Sequence, residues 1–166
     1  AYVSLSAADK PLLERFWRDY GMEFSKESAV AQSELRLAKE MLRQLDSGWF
    51  MAGGLLHEGR LVAVSMGEKC GSTMQVHIEK ALYSCPGAYP AMVQEFARHC
   101  GEEVQWMNRE DDARDKGLRT SKMQYLPAML GAKLCFEVGS ELDRLRKVPV
   151  LHSPRLRLDA LREEDR

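Results

Sequence analysis

At 166 residues the chain fits one domain with a little to spare, and a chain of that size buries roughly 70% of the surface its unfolded form exposes. Hydrophobic residues make up 45% and charged ones 30%, a mixture that excludes disorder of the whole chain. With 24 Lys and Arg against 25 Asp and Glu the formal charge is −1. That argues against a dedicated nucleic-acid or membrane-surface module and leaves room for a local basic pocket. The longest apolar run, Gly48 to Leu56, is about half of a bilayer span, and no secretory signal opens the chain. Stable membrane insertion is not expected. Cys70, Cys85, Cys100 and Cys135 show no Cys-x-x-Cys spacing and no His at zinc-finger distance, so neither a disulfide framework nor a metal site is expected, and the reading is a reduced, cytoplasmic protein. The chain begins at Ala1 and not at Met, which reads as a fragment or a processed product.

In chain order the pattern predicts helices, a meander of strands, then alternating helix and strand. Ser6 and Asp9 offer N-caps and Pro11 suits an early helical position; Leu13, Phe16, Trp17 and Tyr20 follow at helical spacing. A second helix after Ser25 carries Ala31, Leu35, Ala38, Leu42 and Leu45 as one apolar stripe and stops at Gly48. Strands are predicted over Trp49 to Leu56, Arg60 to Glu68 and Thr73 to Leu82, joined by short glycine-bearing turns at His57-Glu58-Gly59 and Cys70-Gly71-Ser72. After Pro86-Gly87 comes a helix with Tyr89, Met92, Val93, Phe96, Ala97 and Cys100 on one face, ending at Gly101. A strand over Val104 to Met107, a helix near Leu118 to Tyr125 and a last strand over Lys133 to Val138 complete the unit. The expected fold class is α/β (α+β): a mixed, mostly antiparallel sheet with helices on both faces.

The charged residues gather at two places. Asn108-Arg109-Glu110-Asp111-Asp112 leaves the end of a predicted strand, where ligands bind in open α/β sheets. Arg119 and Lys122 lie three apart on the next helix and share a face. Two cations there can hold a carboxylate or phosphate, while Glu110 or Asp111 holds an amine. The alternative is that Asp111 or Asp112 caps the helix and the other charges pair among themselves. His77 and Glu79 alternate with Val76 and Ile78 and so project from one strand face. On a cleft, Glu79 can act as general base with His77 as its partner or proton shuttle; otherwise both are polar residues on a half-solvated sheet.

Hairpins followed by strand–helix–strand are the order of the GNAT acyltransferase fold. The sharper resemblance lies in His77-Ile78-Glu79-Lys80-Ala81, the helix start Gly87-Ala88-Tyr89, and Asn108 to Asp112 followed by Leu118-Arg119-Thr120-Ser121-Lys122. Together these resemble the C-terminal half of the phosphatidylglycerol lysyltransferase C-terminal-like family, whose members carry two GNAT-like halves. The resemblance runs from about Ser6 to Val138, over three quarters of the chain. It implies a GNAT-like fold and transfer of an activated acyl or aminoacyl group to an amine or hydroxyl. Glu79 and His77 are then the catalytic candidates. Asn108, Arg109, Glu110, Asp111, Arg119, Ser121 and Lys122 are the candidates for binding a small amine or amino-acid-like substrate, and Gly87, Ala88 and Tyr89 for the donor. Two departures stand out: Gln124-Tyr125-Leu126-Pro127 replaces the family's Ser-Tyr-His-Pro, and the upstream half with its Lys/Arg-rich segment is missing.

GNAT acetyltransferases cradle the coenzyme A pyrophosphate with a loop resembling Arg/Gln-x-x-Gly-x-Gly/Ala, using backbone N–H groups at a helix start. Ser84-Cys85-Pro86-Gly87-Ala88-Tyr89 has one glycine and a proline without an N–H. Acyl-CoA is thus the poorer donor, and the resemblance implies aminoacyl-tRNA instead. Cys85 has no sequence-adjacent base and is not read as a nucleophile, and Tyr89 is read as part of the helix stripe. The expected organisation is a GNAT-like domain over 1–139, a connector over 140–150 and a tail over 151–166. The tail alternates polar and apolar residues from Ser153 to Leu161 and either resembles the start of a further GNAT domain or is a charged C-terminal tail; on the first reading, upstream and downstream domains of the same protein are expected partners.

Overall fold

The computed structural model describes residues 1–23, 29–112, 114–132, 151–152 and 157–158. They belong to two compact units, Ala1–Arg119 and Thr120–Arg166. In chain order the elements are β1 (Tyr2–Leu5), α1 (Lys10–Glu23), α2 (Ala29–Arg43), β2 (Met51–His57), β3 (Arg60–Cys70), β4 (Thr73–Ala81), α3 (Ala88–His99), β5 (Trp106–Asn108), α4 (Lys116–Met123), β6 (Leu151–His152) and β7 (Arg157–Leu158).

The first unit is built on a five-stranded sheet in the order β1-β2-β3-β4-β5. All neighbours are antiparallel except β4 and β5, which run parallel. The β2–β3 turn puts Glu58 at φ 51° and Gly59 at φ 74°, the left-handed pair that matches the twist of a two-residue hairpin. Every residue from 61 to 67 of β3 is buried. Since successive side chains point to opposite faces, both faces of the central strand are covered. α1 and α3 both pack on β3, bringing Leu13, Phe16 and Phe96 against Leu61, Met66 and Met74 in one apolar core.

Most expected elements are present, with shifted ends. Ser6 donates from both its backbone N–H and its hydroxyl to Asp9 Oδ2, each at 2.8 Å, which anchors the turn leading into α1. On α2, Ala38 is buried and Leu35 half-buried, with Leu45 buried just beyond the helix; the side chains of Ala31 and Leu42 lie outside the described residues. Gly48, at φ 73°, ends the short 3₁₀ turn after α2 and not the helix itself. The face of α3 holds Met92, Val93, Phe96 and Cys100, whereas Ala97 is exposed. The sheet also gains β1, which sequence periodicity does not predict. It is four residues long with only Leu5 buried, too short to show its own alternation.

Two irregularities position the site. Met66 faces Ile78 and Gly67 faces Val76, leaving His77 as an extra residue with no partner on β3. Such a bulge bends the strand and re-aims its side chains. The parallel β4–β5 ladder then ends at Gln75 and Asn108, so residues after each are bridged by side chains alone.

In the second unit, the end of α4 closes through the Tyr125 N–H to the Lys122 carbonyl at 3.2 Å and the Leu126 N–H to the Met123 carbonyl at 3.0 Å. β6 and β7 pair antiparallel, Leu151 with Leu158 and His152 with Arg157. The strand expected over Lys133 to Val138, and the boundaries expected at 139 and 150, lie outside the described residues. Among the described residues no helix is long and apolar enough to cross a membrane.

Candidate functional site

Beyond Gln75 and Asn108 the chain places Glu79 of β4 against Arg109, the first residue after β5. Arg109 donates to Glu79 Oε2 from Nε at 2.9 Å and from Nη2 at 2.6 Å. Tyr89, at the first turn of α3, donates its hydroxyl to the same oxygen at 3.2 Å and accepts from Arg109 Nη2 at 3.1 Å. The Glu79 side chain is 6% exposed and that of Arg109 14%. Burial, and then the nearby Glu79 charge, push the Tyr89 phenol up to about 12, so it stays protonated at any physiological pH. Glu79 Oε1 is buried with no hydrogen-bond partner among the described residues. A buried carboxylate oxygen is costly to leave bare, and a ligand N–H or O–H would satisfy it.

His77, aimed by the bulge, does not partner Glu79 as expected. Its Nδ1 lies 2.7 Å from Glu110 Oε1 and its Nε2 lies 3.3 Å from Glu68 Oε1. Glu110 reaches it from a left-handed backbone, φ 57°, held by its N–H donating to Asn108 Oδ1 at 2.9 Å. Asn108 therefore shapes the turn that presents Arg109 and Glu110. Arg119 is held by Asp112, with Nη2 donating to Oδ1 at 3.1 Å. The cap of α4 is neither Asp111 nor Asp112: Asp115 accepts from the Leu118 N–H at 2.7 Å. Asp111 is exposed and, like Lys122, is already engaged. Ser121 and Lys122 belong to the second unit; within the first unit the structure gathers Glu79, His77, Asn108, Arg109 and Glu110.

The loop before α3 is occupied by a carboxylate that sequence reasoning missed. Glu23, at the end of α1, accepts from the Tyr83 N–H at 2.6 Å, from the Ser84 N–H at 3.3 Å and from the Ser84 hydroxyl. These bonds, led by the Ser84 hydroxyl, hold the Glu23 carboxyl below its usual range. At the helix start the Ala88 N–H is spent on the Cys85 carbonyl at 3.1 Å, and neither Pro86 nor Pro90 has an N–H. Of the residues expected to cradle the donor, Gly87 sits at φ 82° as the N-cap and Ala88 is buried. Tyr89 turns its hydroxyl to Glu79 and does not join the apolar stripe of α3. Pro90 was readable from the sequence. Glu23 was not, because it acts across sixty residues of chain.

A mixed five-stranded sheet with this helix order is the fold of GNAT acetyltransferases. The chain is similar to a ribosomal-protein-alanine N-acetyltransferase from Brucella melitensis biovar Abortus 2308, with TM-score 0.61 and 12% identity over 83% of this chain and 99% of that one. It is also similar to an aminoglycoside acetyltransferase from an uncultured soil metagenomic sample, with TM-score 0.58 and 14% identity over 84% of this chain and 97% of that one. At such identities the likeness establishes the fold. The protein is thus a domain of the GNAT fold. The profile of the family described as phosphatidylglycerol lysyltransferase, C-terminal, matches residues 12–135, and the chain belongs to that family. A conserved protein of unknown function from Bacteroides thetaiotaomicron VPI-5482 is similar with TM-score 0.67 and 29% identity over 78% of this chain. This chain spans 45% of that protein's length. No curated protein matches the chain.

Proposed function

We propose that this domain transfers an activated aminoacyl or acyl group to an amine or hydroxyl acceptor, in the cytoplasm and as part of a larger protein, with aminoacyl-tRNA the better donor. The observation that carries the reading is the buried Glu79 Oε1 beside Arg109, which has no hydrogen-bond partner among the described residues. That oxygen accepts a hydrogen from the attacking amine or hydroxyl, while Arg109 and Tyr89 hold the other oxygen and fix the carboxylate in place. The acceptor attacks the acyl carbonyl, the ester or thioester bond to the donor breaks, and the leaving oxygen or sulfur takes up a proton. The preference for aminoacyl-tRNA over acyl-CoA is supported by Glu23, which takes the Tyr83 and Ser84 N–H groups, and by Pro86 and Pro90, which have none to offer a pyrophosphate. The family's own description, phosphatidylglycerol lysyltransferase, supports lysyl-tRNA as the first donor and an anionic lipid hydroxyl as the first acceptor to try.

The test incubates the full-length protein with radiolabelled lysyl-tRNA or acetyl-CoA and phosphatidylglycerol vesicles, then repeats it with Glu79→Gln. Transfer from lysyl-tRNA that Glu79→Gln abolishes is expected. No transfer from either donor, or transfer unchanged by Glu79→Gln, refutes the proposal. A second reading, a non-catalytic GNAT-like module that binds a ligand or docks a neighbouring domain, is favoured by one observation. His77 pairs with Glu110, and Arg119 with Asp112, rather than standing ready for a substrate.

A further inference from the structure

The parallel ladder of β4 and β5 stops at Gln75 and Asn108. Beyond it two side-chain rungs hold the chain after β5 to β4: His77 to Glu110 and Glu79 to Arg109. Arg109 thus lies between two residues that are themselves held. Asn108 ends the ladder, and its Oδ1 accepts the Glu110 N–H at 2.9 Å. Glu110 stands at φ 57°, a left-handed backbone that is costly for a residue with a Cβ and persists only where its surroundings impose it. Its carboxylate lies 2.7 Å from His77 Nδ1. The imidazole is fixed in turn. His77 is the extra residue of the β3–β4 bulge, Glu68 Oε1 lies 3.3 Å from its Nε2, and the Phe50 ring stands edge-on to it with centroids 6.2 Å apart. Both ring nitrogens therefore face carboxylates other than Glu79, and an imidazole has no further polar atom. In this arrangement His77 passes no proton to Glu79.

We infer that His77 is a positioning residue: by holding Glu110 it sets the left-handed turn that keeps Arg109 on Glu79, and with it the direction of Glu79 Oε1. The inference rests on the reading of Glu79 as the group that takes a hydrogen from the acceptor. The His77 side chain is 27% exposed and that of Glu110 49%, and ion pairs so open to solvent add little to global stability. The effect is local. Arg109 reaches Glu79 Oε2 through a rigid planar fork, Nε and Nη2 together, so a rotation of the turn breaks both bonds at once. Misplacing a catalytic group in this way lowers rate rather than stability. The contact is also specific to one nitrogen. An asparagine amide N–H₂ stands where Nδ1 stands and can still donate to Glu110, whereas a glutamine amide reaches the position of Nε2 and so favours Glu68.

Exchange of the Arg109 Nε–H with water, read by ¹H–¹⁵N NMR on the intact chain with Arg109→Lys to identify the signal, tests this apart from any transfer. His77→Ala should speed that exchange at least about tenfold, while the amide of Val64, buried on the central strand, keeps its rate. His77→Asn should stay within about threefold of wild type, and His77→Gln should fall nearer to the alanine variant. In the transfer assay His77→Ala should lower kcat about tenfold with little change in KM, and His77→Asn should restore it. An unchanged Arg109 exchange in folded His77→Ala, an equal rise at Val64, or His77→Asn no better than His77→Ala overturns the proposal. Where transfer occurs, an unchanged kcat overturns it too. Should His77→Ala fail to fold, His77→Gln set against His77→Asn reads the same contrast. Wild-type protein without transfer refutes the transfer reading alone, and the exchange result still decides the role of His77.

Discussion

Arg109 grips one oxygen of Glu79 from two nitrogens, at 2.9 and 2.6 Å, and the other oxygen of that carboxylate is buried with no hydrogen-bond partner among the described residues. One pair of residues thus both closes the gap where β4 and β5 part and leaves a single acceptor for a ligand. The same contact has a structural and a chemical consequence, and they can be measured apart.

Glu79→Ala strands a nearly buried guanidinium, and breaking such a pair costs about 3–5 kcal/mol. Glu79→Gln keeps the shape and one acceptor and should cost less. In a double-mutant cycle with Arg109→Ala, chemical denaturation should give a coupling energy of about 1–3 kcal/mol. Additive losses would mean the ion pair contributes no stability.

The Tyr89 hydroxyl bridges Glu79 and Arg109, so Tyr89→Phe should destabilise the fold by about 1 kcal/mol. Its folded-state value, about 12, lies above the ordinary 10.0. The folded protein therefore holds this proton where the unfolded chain has lost it. The associated stability is complete below pH 10 and declines as pH rises toward 12. Comparing denaturant midpoints of wild type and Tyr89→Phe across that range should show the gap between them closing. A pH-independent gap would place the phenol in an ordinary solvent environment.

Acetyl-CoA should bind with a Kd above about 100 μM, weaker than roughly −5.5 kcal/mol, because Glu23 already takes the Tyr83 and Ser84 N–H groups and Pro86 has none. Isothermal titration decides this, and tight stoichiometric binding would contradict it. Hydrogen exchange should show the Tyr83 and Ser84 amides losing protection in Glu23→Gln. Since Glu23 titrates below its usual range, its hold on the loop persists above the ordinary carboxylate range and fades only as pH falls through the lowered value.

A Cβ on Gly67 would run into the backbone carbonyl of Gln75, opposite the bulge that presents His77. Backbone cannot give way as a side-chain tip does, so Gly67→Ala should cost about 1–3 kcal/mol. Thermal melting measures that cost, and broadening of the His77 ring signals in NMR would report the disturbed bulge. A variant as stable as wild type would show that the two strands adjust there freely.

Much of the fold was legible in the residues because its signals are local. Helical spacing marked Leu13, Phe16, Trp17 and Tyr20, all buried on one face of α1. Glycine turns marked the β2–β3 and β3–β4 hairpins to within two residues. β1 was not legible, since its four residues become a strand only by pairing with β2.

The site divides along the same line. The sequence alone determined which groups are present: Glu79 and His77 on a strand, Asn108 to Asp112 at a strand end, and a loop before α3 poor in N–H donors. These follow from residue identity, strand periodicity and the chemistry of proline, which depend only on near neighbours. Tertiary structure alone decided who meets whom. A one-residue bulge turned His77 toward Glu68 and Glu110, the end of the parallel ladder let Arg109 reach Glu79 across thirty residues, and Glu23 closed on Ser84 from sixty-one residues away. Contacts between charges carry no periodicity, because a carboxylate accepts any donor that packing brings within reach; only the folded chain selects one.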